Sequence, residues 1–203
     1  MNIGDQKFND FLSVLASKEP VPGGGATSGI LTALATSLGS MVIAYTEGKN
    51  KYADHQPLHD DCEKFLHAAR IESMELAAAD AESYASLNAL WKLDKDDQKR
   101  LEQWEDAVEQ AANVPIRTME LCHRVLLTLE TMVGKTNKML VSDLNTASIL
   151  AKCSAEIAAV TARINIPLLQ DNARKIELDE KVCTLESTCC ALAMTIGKSC
   201  GDV

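Results

Sequence analysis

From Ala26 to Thr46 the chain carries no charged residue at all. A helix of that composition has no face to offer to water, so it needs packed neighbours on more than one side. A membrane span is the rival reading, since about 20 apolar residues suffice to cross a bilayer. Thr27, Ser28, Thr32, Thr36, Ser37 and Ser40 interrupt the stretch with hydroxyls, and no second segment of the kind occurs. The central helix of a soluble helical bundle is therefore expected, with no membrane partner. Gly29, Ala33, Ser37 and Met41 form one stripe along it, and Ala35 and Gly39 a neighbouring one, where another backbone can approach closely.

The rest of the chain agrees with helices. Aromatic residues make up 4% of the sequence, and between Gly48 and Gly197 glycine occurs only at Gly134, which leaves little material for hairpins. Apolar spacing predicts a short helix over 7–17, ended by Pro20 and Pro22, then the uncharged helix over 26–45 and a long one over 58–90. Asp97 reads as the N-cap of a fourth, 97–113, and Pro115 as the first turn of a fifth that ends near Gly134. Ser142 is expected to cap a sixth helix reaching Ile164, with Pro167 ending it. A seventh, 168–196, stops at Gly197. The expected fold is all-α, an antiparallel multihelical bundle formed by residues 1–203 as a single domain.

A net charge of −9 argues against nucleic acid as a partner, because phosphate binding needs a basic surface. The seven cysteines form no CxxC pair, and residues 1–10 show no basic segment followed by an apolar one. Reduced thiols and a cytoplasmic location are the expectation. His55, His59 and Cys62 have ligand-like spacing, but Pro57 interrupts the helix that would align the histidines, so no metal site is expected. Gly134-Lys135-Thr136 and Gly197-Lys198-Ser199 lack the upstream glycine of a phosphate-binding loop.

Candidate chemistry lies at both ends of the uncharged helix. Before it stands Pro20-Val21-Pro22-Gly23-Gly24-Gly25, where glycines let main-chain N–H groups approach a ligand or simply turn tightly into the helix. After it comes Thr46-Glu47-Gly48-Lys49-Asn50-Lys51-Tyr52, whose lysines can meet a negative helix end or an anion. Asp80 falls between Leu76 and Tyr84 on an apolar stripe, where an unpaired carboxylate is costly; it is either a structural partner or a functional acid. Asn137, Ser142 and Asp143 are explained as turn and cap residues on their own.

Together these segments resemble the formimidoyltetrahydrofolate cyclodeaminase and methenyltetrahydrofolate cyclohydrolase family. That family occurs as stand-alone bacterial proteins and as the C-terminal domain of the bifunctional formiminotransferase-cyclodeaminase. The resemblance runs from Phe8 to about Ile196 and rests mainly on the PxPGGG turn followed by T-x-G-K-x-x-Y. Asp80 with Tyr84, Val114-Pro115, and Asn137 leading to Ser142-Asp143 add to it. Ala26 after the glycines and the Cys189-Cys190 pair depart from the usual pattern.

The resemblance implies a homodimer that binds a tetrahydrofolate derivative as substrate near the glycine turn and the Lys49 loop, without a cofactor. It implies either hydrolysis of 5,10-methenyltetrahydrofolate to 10-formyltetrahydrofolate or ring closure of 5-formimidoyltetrahydrofolate with loss of ammonia. Lys49, Asp80 and Asp143 are then the candidate catalytic residues: Asp80 or Asp143 as base, Lys49 as proton donor or positioner. Pro22, Gly23, Gly24, Gly25, Lys51, Tyr52, Asn137 and Ser142 are candidates for substrate binding, with Lys51 on the glutamate tail. A non-catalytic helical dimer is the rival from another class.

Overall fold

The computed structural model describes Ile3 and residues 7–201, and these contain six α-helices and no strand. They are α1 (Phe8–Leu15), α2 (Gly24–Ala44), α3 (Gln56–Trp91), α4 (Gln98–Met132), α5 (Val141–Asn165) and α6 (Asn172–Gly201). Single 3-10 segments, Asn50–His55, Lys138–Leu140 and Ile166–Leu168, lead into α3, into α5 and out of α5. Short connections fold each long helix back against its predecessor, so neighbours in sequence pack antiparallel.

The uncharged segment is the centre of this bundle. α2 packs against α3 on one side and α5 on the other, with α4 behind it. Its small residues set the spacing: a Cβ at Gly29 would stand 2.6 Å from the Ser73 carbonyl and 2.7 Å from the Ala77 side chain of α3. Backbone therefore lies almost on backbone there, which no larger residue allows. Five of the six hydroxyls of α2 are satisfied internally, and the sixth, Ser40 Oγ, is buried without a partner among the described residues. Thr32 Oγ1 lies 2.8 Å from Ser154 Oγ of α5 and 3.3 Å from Cys122 Sγ of α4, and Ser154 Oγ donates to the Ser28 carbonyl at 2.6 Å. α2 is the one described helix long and apolar enough to cross a membrane, and more than half of its most apolar window is buried within the bundle.

Several boundaries differ from expectation. The fourth and fifth predicted helices are one, α4, with Pro115 inside it. Proline removes the N–H that would bond the Ala111 carbonyl, a loss worth about 3 kcal/mol in an isolated helix. Here Val108, Ala111, Ala112, Ile116 and Met119 are buried on either side of it, so packing holds the helix straight through. The vacated carbonyl is not left bare: Asn165 Nδ2 donates to Ala111 O at 2.8 Å.

α2 begins at Gly24, two residues early, because Gly24 and Gly25 take helical geometry. Ser142 lies inside α5 rather than capping it, since the 3-10 turn Lys138–Leu140 brings the chain in first and Leu140 occupies the cap position. Asn137 caps that turn, its Oδ1 accepting from Met139 N at 3.2 Å. The last helix starts at Asn172 rather than Leu168, and Gly197 does not stop it. A Cβ at Gly197 would reach only the Asn145 side chain, at 3.4 Å, so the residue packs as part of the helix. Asp97 caps α4 as expected, accepting from Lys99 N and Arg100 N at 2.9 and 3.2 Å.

Candidate active site

A cavity of about 460 Å³ opens where the start of α2 meets the middle of α3 and the end of α5. Its floor is the glycine turn, with Gly23, Gly24 and Gly25. Asp80, Ser83 and Tyr84 of α3 form one wall, and Ile157, Val160, Thr161, Ile164 and Asn165 of α5 the other. Val160 and Ile164 are 58% and 66% exposed, so large apolar side chains stand open at its rim. The volume falls within the range of small-molecule sites, roughly 300–1,000 Å³.

Asp80 is the charged group in this lining, and it is only 9% exposed. Removal from water raises its carboxyl from the ordinary 3.8 to about 6, although a hydrogen bond from the Ala26 backbone N–H pulls the other way. That bond explains the local sequence. The N-cap of α2 is Gly23, which has no side chain to satisfy the first-turn N–H groups, and the Asp80 carboxylate of α3 takes the capping role from outside. Gly25 is the glycine this arrangement demands, because a Cβ there would run into the Asp80 carboxyl group. At Gly23 and Gly24 an added Cβ would meet nothing within 4 Å, so their neighbours leave space in front of them.

The chemistry this permits is proton transfer. A carboxyl that titrates near 6 is mostly ionised at neutral pH, yet is a competent acid once it has taken a proton. It sits in a cavity with largely apolar walls at the N-terminal end of α2.

The second group of candidate residues lies elsewhere. Lys49, Lys51, Tyr52, Asn137, Ser142 and Asp143 gather at the far end of α2, separated from the glycine turn by the length of that helix, about 30 Å at 1.5 Å per residue. Within one chain, then, the Lys49 loop and the glycine turn are not brought together. Tyr52 and Asn137 are buried there and fasten two loops: Asn137 N donates to Thr46 Oγ1 at 2.9 Å, Asn137 Nδ2 to the Tyr45 carbonyl at 3.2 Å, and Lys138 N to the Tyr52 hydroxyl at 3.2 Å. Lys49 and Lys51 are exposed, with Lys51 Nζ 5.3 Å from the centre of the Tyr52 ring. His59 bonds the Lys135 carbonyl at 2.9 Å, and Cys62 lies 3.5 Å from Thr131 Oγ1, so both have structural partners at this end.

The profile of the family described as formiminotransferase-cyclodeaminase matches residues 7–184. The chain belongs to that family. It is 29% identical over 177 residues to a methenyltetrahydrofolate cyclohydrolase of Methylorubrum extorquens, an alignment covering 84% of each chain. It is 24% identical over 188 residues to the formimidoyltransferase-cyclodeaminase of Mus musculus, which covers 89% of this chain and 34% of that one. This chain thus spans about a third of the mammalian relative's length. A formiminotetrahydrofolate cyclodeaminase of Thermotoga maritima shares the fold, with a TM-score of 0.89 over 98% of both chains at 24% identity.

Thr161, Ile164 and Asn165 line the cavity and were missed by sequence reasoning. Their positions near the end of an alanine-rich helix carry no local motif. Tyr84, which the sequence pairs with Asp80 in the family resemblance, stands four residues beyond it, one helical turn on, which is why both reach the same cavity.

Proposed function

We propose that this protein is a methenyltetrahydrofolate cyclohydrolase, hydrolysing 5,10-methenyltetrahydrofolate to 10-formyltetrahydrofolate in the cavity at the start of α2. The observation that carries the reading is a buried carboxyl titrating near 6 in that cavity, in a chain aligned over most of its length with a cyclohydrolase. The substrate is an amidinium cation and already electrophilic, so the route needs neither a metal nor a redox cofactor. Asp80 removes a proton from water as its oxygen bonds to the methenyl carbon. The protonated Asp80 then returns the proton to N5 as the carbon–N5 bond breaks, and the hydroxyl on that carbon gives its own proton to solvent as it becomes the formyl C=O on N10, so that cation and water yield the ring-opened product and one released proton. Cyclodeaminase chemistry passes through the same tetrahedral carbon and is the second reading, favoured by the family profile and the mammalian relatives.

The glycine turn would carry the folate ring through its main-chain N–H groups, with Pro22 shaping the approach. We assign the lysines to a homodimer: the partner subunit's Lys49, accompanied by Lys51, Tyr52, Asn137, Ser142 and Asp143, completes the site that each chain begins with Asp80. This accounts for two candidate clusters separated by about 30 Å in one chain. Lys49 then polarises or protonates the reacting ring, and Lys51 draws the anionic glutamate tail to an acidic protein. A cytoplasmic location follows from such a metabolic role.

Loss of absorbance of methenyltetrahydrofolate, corrected for spontaneous hydrolysis, tests the activity, with ammonia release from 5-formimidoyltetrahydrofolate measured alongside. Turnover of the first without the second supports the hydrolase. The reverse result makes it a deaminase. Turnover of neither leaves a helical dimer that has kept only the fold.

A further inference from the structure

Pro115 has no N–H, and the carbonyl it fails to bond inside α4 belongs to Ala111. The donor that replaces it comes from the last residue of α5: Asn165 Nδ2 bonds Ala111 O at 2.8 Å. The effect reaches the other half of the amide. Because only the nitrogen side can face a carbonyl, the bond fixes which way the amide group lies. Asn165 is 5% exposed and lines the cavity, and no donor among the described residues reaches its Oδ1. A helix-interior proline thus holds a fixed hydrogen-bond acceptor at the cavity that contains Asp80.

We propose that Asn165 is a specificity-determining residue, its Oδ1 accepting from the 2-amino and N3–H edge of the substrate's aminopyrimidinone ring, and that Pro115 is its positioning residue. The proposal rests on the folate reading above. In a reduced pterin the 2-amino and N3–H donors lie at the end of the bicycle away from N5, where the reacting carbon is attached. Asp80 on α3 and Asn165 on the end of α5 belong to different walls of the cavity, and Tyr84, Val160 and Ile164 give it the apolar surface that a flat ring fills. A fixed acceptor selects a ligand with donors at that place and leaves a ring without them unpaired.

Binding of 5-formyltetrahydrofolate and of its 2-desamino-2-methyl counterpart, which lacks the amino donor, is measured by calorimetry. Wild-type protein is expected to prefer the amino compound by roughly tenfold or more. Asn165→Leu alone strips Ala111 O of its donor and can fail to fold, so the decisive variants begin with Pro115→Ala. That change restores an N–H to position 115, lets Ala111 bond within the helix and releases Asn165 without deleting it. It should raise Tm while weakening binding of the amino compound and narrowing the preference. Pro115→Ala/Asn165→Leu should remain folded and bind both compounds alike.

A purely structural role for the pair predicts a different outcome, in which the double variant keeps the wild-type preference; that result overturns the proposal. Equal binding of the two compounds by the wild type also overturns it, with the folate reading intact. Failure of the wild type to bind either compound removes the folate reading itself.

Discussion

Replacing Asp80 with asparagine is expected to make the protein more stable and nearly inactive. The carboxyl titrates at about 6 in the folded chain against an ordinary 3.8. Between those values the folded state therefore holds more protons than the unfolded one, and stability declines as pH rises through the window. Above it the whole difference is lost to the native state, about 3 kcal/mol at 1.36 kcal/mol per pH unit. Asparagine occupies the same volume and keeps an oxygen for the Ala26 N–H, but has no charge to desolvate. Urea unfolding should then show Asp80→Asn more stable than wild type by up to ~3 kcal/mol at pH 8 and by about half of that at pH 5. In thermal unfolding the gain at pH 8 corresponds to roughly 6–12 °C for a chain of this size. Turnover of methenyltetrahydrofolate should fall by roughly 10²-fold or more, the scale for a lost general base. Wild-type kcat/KM should itself decline about tenfold per pH unit below about 6 as Asp80 becomes protonated. A variant that is less stable than wild type by the same amount at both pH values would refute the reasoning, since the bond to Ala26 would then outweigh the cost of burial. Near-normal turnover would remove Asp80 from the chemistry.

Gly25→Ala should displace the Asp80 carboxyl and depress kcat, whereas Gly24→Ala should leave Tm unchanged or higher and act only on KM; steady-state kinetics with thermal melts separate the two. Lys49→Met should lower kcat and Lys51→Met should mainly raise KM, more so for polyglutamylated substrate, in the same assay. If the partner subunit supplies Lys49, mixing inactive Asp80→Asn and Lys49→Met chains in one refolding should restore roughly a quarter of wild-type activity, since about half of the dimers formed carry one intact site. Recovery of none, with mixed dimers shown by mass spectrometry, would place both residues' work within a single chain.

Local chemistry by itself determined much of this protein. The absence of charge from Ala26 to Thr46 called for a helix packed on more than one side, and α2 takes the centre of the bundle between α3 and α5 although Leu34 stays 46% exposed; the long helix α3 and the Asp97 cap followed from spacing and side-chain type. The glycine turn and Asp80 were visible as unusual residues for the same reason: a carboxylate on an apolar stripe and three adjacent glycines each carry a local cost. Tertiary packing decided what sequence spacing could not. It carried α4 through Pro115, since contacts on both sides of the proline and a donor from a helix 50 residues away outweigh one missing bond. It joined Asp80 to Gly25, because the carboxylate caps a helix that has no cap of its own. And it set Lys49 and Asp143 at the opposite end of α2 from Asp80, a separation fixed by the rigid rise of the helix rather than by any property of the residues themselves.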